Sequence, residues 1–290
     1  MTDRTLPPIL PLIDIGANLG HESFDHDLAS VIERAQAVGI VHMLVTGTSL
    51  SSTEKALTIA NAYSDFLSLT AGYHPHEAQA CTPEHFARIA ELARLPNVCA
   101  VGETGLDFNR DFSPRPVQED VFLQHLQLAC EIDKPVFLHQ RDAHARFFPM
   151  LRSCRDDLRA GGVVHCFTGE KHELYEYLDL DMYVGITGWA CDERRGSHLL
   201  ELLHDIPADR LLLETDAPYL LPRTLRLRPK SRRNEPAYLT EVLRVLALTT
   251  GRSATEISHQ TTENARRLFK LSEQEFPRLQ LVKGPAQLDL

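Results

Sequence analysis

No Cys-x-x-Cys pair occurs in this 290-residue chain, whose six cysteines (Cys81, Cys99, Cys130, Cys154, Cys166 and Cys191) are widely scattered. That scatter argues against a disulfide framework and fits reduced thiols in a cytosol. No run of eighteen apolar residues exists, which excludes a conventional membrane-spanning helix. The opening "MTDRTLPPILPLIDIG" lacks a basic segment followed by a sustained apolar one, so no secretory leader is expected and the reading is cytoplasmic. No Gly-x-Gly-x-x-Gly follows the first apolar segment, which weakens any dinucleotide-binding reading.

The remaining composition, 43% hydrophobic and 24% charged, is that of an ordinary soluble globular protein with a sizeable core. The formal charge of −10 argues against a protein coated in nucleic acid. It hides a local reversal. Segment 222–234 carries Arg223, Arg226, Arg228, Lys230, Arg232 and Arg233 with no acid among them, leaving −10 − 6 = −16 on the rest. It directly follows "LLLETDAPYL", where a core-like run of leucines ends in two carboxylates, Glu214 and Asp216.

Short apolar segments alternate with longer amphipathic ones. Strands are predicted at 11–18, 41–48, 67–75, 97–105, 134–142, 161–169, 181–188 and 209–216. Between them, apolar residues three and four apart predict helices, including 24–38 and 118–131. Thr82-Pro83 and Ser51-Ser52-Thr53-Glu54 read as helix starts, and two more helices are expected at 235–248 and 255–271. Eight strand–helix units point to a parallel sheet wrapped by helices, most economically an α/β (β/α)8 TIM barrel of one domain. An open doubly wound sheet is the alternative, because periodicity does not show that the last strand meets the first. The expected division is a barrel over 1–272 and an extension over 273–290.

In such barrels, functional side chains come from the C-terminal ends of the strands. Here Asp14 and Asn18 mark the first strand, His74 and His76 the third, Glu103 and Asp107 the fourth, His139 the fifth, His165 the sixth, and Glu214 and Asp216 the eighth. Singly, each has a bland reading: a hydrogen-bonded structural histidine, a helix-capping Glu103, a turn-forming Asp216. His42, His125, His144 and His198, within or beside helices or at strand starts, read as structural or surface residues. The barrel, however, brings the strand ends to one mouth. Carboxylates and imidazoles crowded there carry large desolvation and like-charge costs unless a cation is present. Mixed N/O donors suit Zn²⁺, Mn²⁺ or Mg²⁺.

"DIGANL", "TAGYHPHEA", "VGETGLDFNRDFS", "PVFLHQRDAHARF", "HCFTG", "GITGWACDERRG" and "ETDAPYLLPR…SRRNEPA", in this order, resemble the TatD family of metal-dependent deoxyribonucleases. The likeness runs from about residue 13 to 269. It implies a barrel of the metal-dependent hydrolase superfamily acting as a 3′→5′ exonuclease on single-stranded DNA, with RNA as a further substrate, in DNA repair or degradation. It implies Glu103, His139, His165 and Asp216 as metal-site residues and His74 as a further active-site residue. Many superfamily members carry His-x-His at the first strand's end; here "DIGAN" presents Asp14, Gly16 and Asn18. One firm site and a weaker, exchangeable one are therefore expected, with Mg²⁺ first and Mn²⁺ or Zn²⁺ as alternatives.

On this reading Glu103, His139 and His165 hold the metal, Asp216 ligates it or serves as general base, and His74 assists the phosphate or the leaving oxygen. Glu214, on the same face as Asp216 and a layer deeper, is support. Asp14 and Asn18 support the site or a second ion. Arg232 and Arg233 of "SRRN", joined by Arg194 and Arg195, are expected to grip the DNA backbone, and Trp189 to stack a base. The partner is single-stranded nucleic acid, bound by a monomer with no membrane role. Two rivals compete: hydrolysis of another ester, such as D-aminoacyl-tRNA deacylation, and a non-catalytic nucleic-acid binder on a decayed barrel.

Overall fold

The computed structural model describes residues 9–271, so the expected extension at 273–290 lies outside the described residues. All eight expected strands form: β1 (Leu12–Ala17), β2 (Ile40–Val45), β3 (Leu67–Ala71), β4 (Val98–Asp107), β5 (Val136–Arg141), β6 (Gly162–Val164), β7 (Tyr183–Ile186) and β8 (Leu211–Leu213). They pair in parallel in chain order. A bridge between Ala17 and Ala217 brings the two edges together at the mouth, making a nearly closed (β/α)8 barrel. β1 to β4 are buried along their whole length, as strands covered on both faces must be.

Helices α1 (Leu28–Ala37), α2 (Leu50–Ala62), α3 (Pro83–Ala93), α4 (Arg115–Ile132), α5 (His144–Ser153), α6 (Lys171–Asp179) and α7 (Ser197–Leu202) follow β1 to β7; α8 (Leu239–Thr250) and α9 (Ala254–Phe269) follow β8. Starts follow local chemistry. The Thr82 hydroxyl accepts from His85 N with Pro83 in the first turn of α3, and Ser49 caps α2 through Ser52 N. The helix expected over 24–38 begins later. Glu22–Phe24 forms a separate 3-10 turn, Asp27 leaves helical geometry at φ −144°, and Phe24 is fully buried.

Two cores result. One lies between sheet and helices; Phe122 of α4 and Phe147 of α5 stack within it, 4.7 Å apart. The other fills the barrel, with Ile15, Leu44, Ala100, Phe137, Val163 and Leu212 above Leu268 and Phe269 of α9. Each fully buried aliphatic or aromatic side chain contributes about 1.5–3 kcal/mol. Among the described residues no helix is long and apolar enough to cross a membrane.

Strand alternation sets the next layer up. Phe137 is followed two positions on by His139, Val163 by His165, and Leu212 by Glu214 and then Asp216. A dry floor thus carries a polar storey at the C-terminal end, and the Phe137 and His165 rings stack at 4.8 Å across the boundary.

Candidate active site

Glu103 stands at the centre. Its Oε1 lies 2.7 Å from His165 Nε2, 3.0 Å from His139 Nδ1 and 3.4 Å from His74 Nε2. β4 delivers Glu103, β5 His139, the end of β6 His165, and the turn after β3 His74. Glu103 and His165 are buried, His74 and His139 partly so.

The backbone settles which ring nitrogens are available. His74 Nδ1 accepts the His76 N–H at 3.1 Å, so in the neutral ring the proton is on Nε2, facing His139 Nδ1 at 3.2 Å. Burial, with His139 beside it, holds the His74 pKa well below its ordinary value, which keeps that ring a neutral donor. His165 Nδ1 lies 3.2 Å from Glu214 Oε2 and its Nε2 2.7 Å from Glu103 Oε1; both partners are carboxylates that only accept, so the ring donates from both nitrogens, and a cation at the centre would take the place of the Nε2 proton. His139 Nε2 makes no hydrogen bond and has Asp107 Oδ2 at 3.4 Å. Its Nδ1 faces the Glu103 carboxylate at 3.0 Å and donates to it, at the position where a cation at the centre would bind. His165, braced by the Glu214 carboxylate at the nitrogen turned away from the centre, has the usual arrangement of a metal ligand.

Fully buried Glu214 explains "DIGAN". A side chain at Gly16 would stand 2.6 Å from Glu214 Oε2, and one at Gly185 2.5 Å from Oε1, so these two glycines form its slot. No imidazole fits at Gly16. Glu214 Oε1 also accepts the Cys166 N–H at 2.5 Å. Asp14 lies below the mouth, where its oxygens accept Thr215 N at 2.9 Å and Thr215 Oγ at 2.5 Å, tying β1 to the end of β8. Asn18 Nδ2 donates to Asp216 Oδ1 at 3.0 Å.

Burial pushes the Asp216 carboxyl up to about 7; His165 opposes the rise, and Glu103 and Glu214 add to it. Burial opposes ionisation of Glu103 as well, yet the imidazoles of His165, His74 and His139 hold its pKa well below the ordinary carboxylate range. His165 shows the converse: burial disfavours its charge, but Glu103 and Glu214 raise its pKa well above 6.5. A bound cation would compensate Asp216, since nearby positive charge restores the ionised carboxylate. Donor spacing agrees. Ligands about 2.1 Å from one ion, at tetrahedral or octahedral angles, lie about 3.0–3.4 Å apart, close to the separations around Glu103 Oε1. The donors of His74, Glu103 and His139 lie within 4.8 Å of one another.

Two residues with no assigned role belong to this constellation. His76 Nε2 lies 2.7 Å from Asp107 Oδ2, and Asp107 Oδ1 accepts Asn109 N and Arg110 N. The His-Pro-His spacing and the acid closing β4 were the available signals. Phe112, 63% exposed with its ring 4.7 Å from His76, had none.

The basic segment leaves and returns to the mouth: Asn234 donates to the Thr215 carbonyl at 2.9 Å and its N–H to the Pro218 carbonyl at 3.0 Å. Arg226, Arg228, Lys230 and Arg232 are exposed. Arg233, expected to grip DNA, instead commits its guanidinium to Asp27 and Glu235 at 2.7 Å, above the Phe24 ring. Arg194 and Arg195 are exposed beyond β7, with Arg195 5.9 Å from the centre of the half-buried Trp189 ring. The four histidines read as structural or surface residues have these surroundings: His42 is paired with Ser68, His125 is buried against Tyr73 and Val121, His198 contacts the Thr168 carbonyl, and His144 joins Tyr177 and Glu176.

A parallel barrel that gathers imidazoles and carboxylates at its C-terminal mouth defines the metal-dependent hydrolase class. The model of the TatD related DNases matches residues 13–270, and the chain belongs to that family. A Rahnella protein named 3'-5' ssDNA/RNA exonuclease TatD is 51% identical over 261 residues, covering 90% of this chain and 99% of that one. A Cronobacter sakazakii protein of the same name is 52% identical over 258 residues, covering 89% and 97%. The crystal structure of a TatD homologue from Escherichia coli superposes with a TM-score of 0.84 at 26% identity, covering 91% and 100%.

Proposed function

We propose that the chain is a divalent-metal-dependent 3′→5′ exonuclease that shortens single-stranded DNA, and RNA as well, as a cytoplasmic monomer without a membrane role. The observation that carries this reading is the convergence of His74, His139 and His165 on one oxygen of Glu103. The names borne by the half-identical relatives supply the substrate and polarity.

Glu103 Oε1, His139 Nδ1, His165 Nε2 and Asp216 would hold the ion, Mg²⁺ first, with Mn²⁺ or Zn²⁺ also suited to mixed N/O donors. When bound, it supplies neutralisation of the phosphate's non-bridging oxygens and a lowered pKa for water. The protein does the rest. Asp216 would accept a proton from the attacking water, with Asn18 fixing its orientation. His74 donates from Nε2 to a phosphate or leaving oxygen. Glu214 orients His165, Asp107 lies behind His139, and Asp14 braces the seam. Arg194, Arg195 and Arg232 contact backbone phosphates, which carry no sequence information, so the enzyme tolerates any sequence. Trp189 offers a stacking face. Phe112, exposed beside His76, offers another.

End-labelled single strands test this. Glu103→Ala, His165→Ala and Asp216→Ala proteins should keep the wild-type circular dichroism and lose activity by about a hundredfold or more. Chelator should abolish wild-type activity, and a blocked 3′ end should protect the strand. Full activity in any variant removes that residue from the scheme; cleavage of the blocked strand at the wild-type rate removes the polarity.

A further inference from the structure

A second group of metal-binding side chains sits on the rim, on helices that leave the same mouth. His144 opens α5, just beyond β5, and His172 and Glu173 lie in the first turn of α6, just beyond β6. Donor atoms of all three lie within 4.8 Å of one another. The His144 and His172 rings are 5.8 Å apart and nearly perpendicular.

The tautomer of His144 is prepared. Its Nε2 lies 2.5 Å from Glu176 Oε2, a carboxylate that accepts only, so the ring proton is there and the Nδ1 lone pair is free to coordinate. Nδ1 faces the Tyr177 hydroxyl at 2.9 Å and Glu173 Oε1 at 3.9 Å. Gln140 Nε2 already donates to that hydroxyl at 3.3 Å, so Tyr177 keeps a partner when its own proton turns away. Glu173 is held as well: Oε2 accepts the Glu170 N–H at 2.9 Å and leaves Oε1 turned inward. His172 is exposed, with its ring set against that of His144.

We propose that His144, His172 and Glu173 form a separate transition-metal site on the barrel rim, with Glu176 as the positioning carboxylate. Two imidazoles and one carboxylate select Zn²⁺, Co²⁺ or Ni²⁺ over the hard ion Mg²⁺. Occupancy ties the starts of α5 and α6 together behind the strand ends that carry His139 and His165. Substrate identity plays no part in it.

Equilibrium dialysis of chelator-stripped full-length protein against Co²⁺ in excess Mg²⁺, with bound cobalt counted per chain, tests the site. Wild type should hold one equivalent more than His172→Ala and His172→Gln, both changes at an exposed position. His165→Ala should keep that equivalent. The cobalt-induced rise in melting temperature should shrink in the His172 variants. The same cobalt count in wild type and both His172 variants overturns the proposal, as does loss of that equivalent in His165→Ala with retention in His172→Ala.

Discussion

Within α4, the His125 ring accepts the Tyr73 N–H at Nε2 (3.1 Å) and donates from Nδ1 to the Val121 carbonyl (2.7 Å). Both nitrogens are committed to one neutral tautomer, and a second ring proton would point at an N–H. Burial accordingly lowers the pKa from 6.5 to about 4, against the opposing bond to Val121. The sign follows from linkage. As pH falls below 6.5 the unfolded chain takes up a proton that the native chain refuses until about 4. The stabilisation is complete above the unfolded value and is lost as pH drops through that window, roughly 3 kcal/mol in all. Denaturant titrations should show a steep loss of stability over this range in wild type. In His125→Gln the slope should be shallower by about one proton; equal slopes would remove His125 as the cause. Tyr73 immediately precedes His74, so the ring also pins the turn that delivers an active-site donor.

At the scale of elements, β4 and β5 are the pair that places Glu103 beside His139. Gly105 faces His139 across the ladder with φ at +148°, and a Cβ there would run into the His139 carbonyl oxygen. Gly105→Ala should therefore cost about 3 kcal/mol or more, since strained φ and a backbone clash act together. Weakened metal binding should accompany the loss. Wild-type stability and affinity would show that the strands part without consequence. The strands themselves were legible, because continuous apolar runs bounded by turn residues have few other uses. Polar strand ends at His139, His165 and Asp216 were legible for the same reason: nothing apolar about the run predicts an acid at its tip. The start of α1 was not, because Phe24 continues a helical spacing locally while Asp27 is drawn out of it by Arg233, 206 positions away. Likewise six like charges in 222–234 were plain, but only the fold shows that Arg233 is neutralised while Arg232 is free of such a pair among the described contacts. The slot for Glu214 was invisible too: Gly16 and Gly185 are silent in any pattern of polarity.

Across the whole molecule, an acidic chain of net charge −10 presents a short cationic loop beside its mouth. Attraction to a nucleic acid strand is thus confined to one edge, and it acts through counterion release. Binding of single strands should weaken linearly with log salt concentration. Arg194→Ala with Arg232→Ala should reduce that slope by about 0.7 per phosphate contact removed. Arg233→Ala should act mainly on stability, through its partners Asp27 and Glu235. An unchanged slope in the double variant would move the strand's path elsewhere.

The seam between β1 and β8 has a consequence in time. At the mouth it is joined by the Ala17–Ala217 bridge and the Asn18–Asp216 pair, while lower down α9 clasps it. Ser258 and Thr262 donate to the Pro11 carbonyl on one side, and Asn264 to the carbonyls of Ala208 and Leu211 on the other. The clasp is also the last of the described helices to leave a ribosome. Until residues 258–264 have emerged, the strand that carries Asp216 to the mouth thus has no clasp to β1 from below.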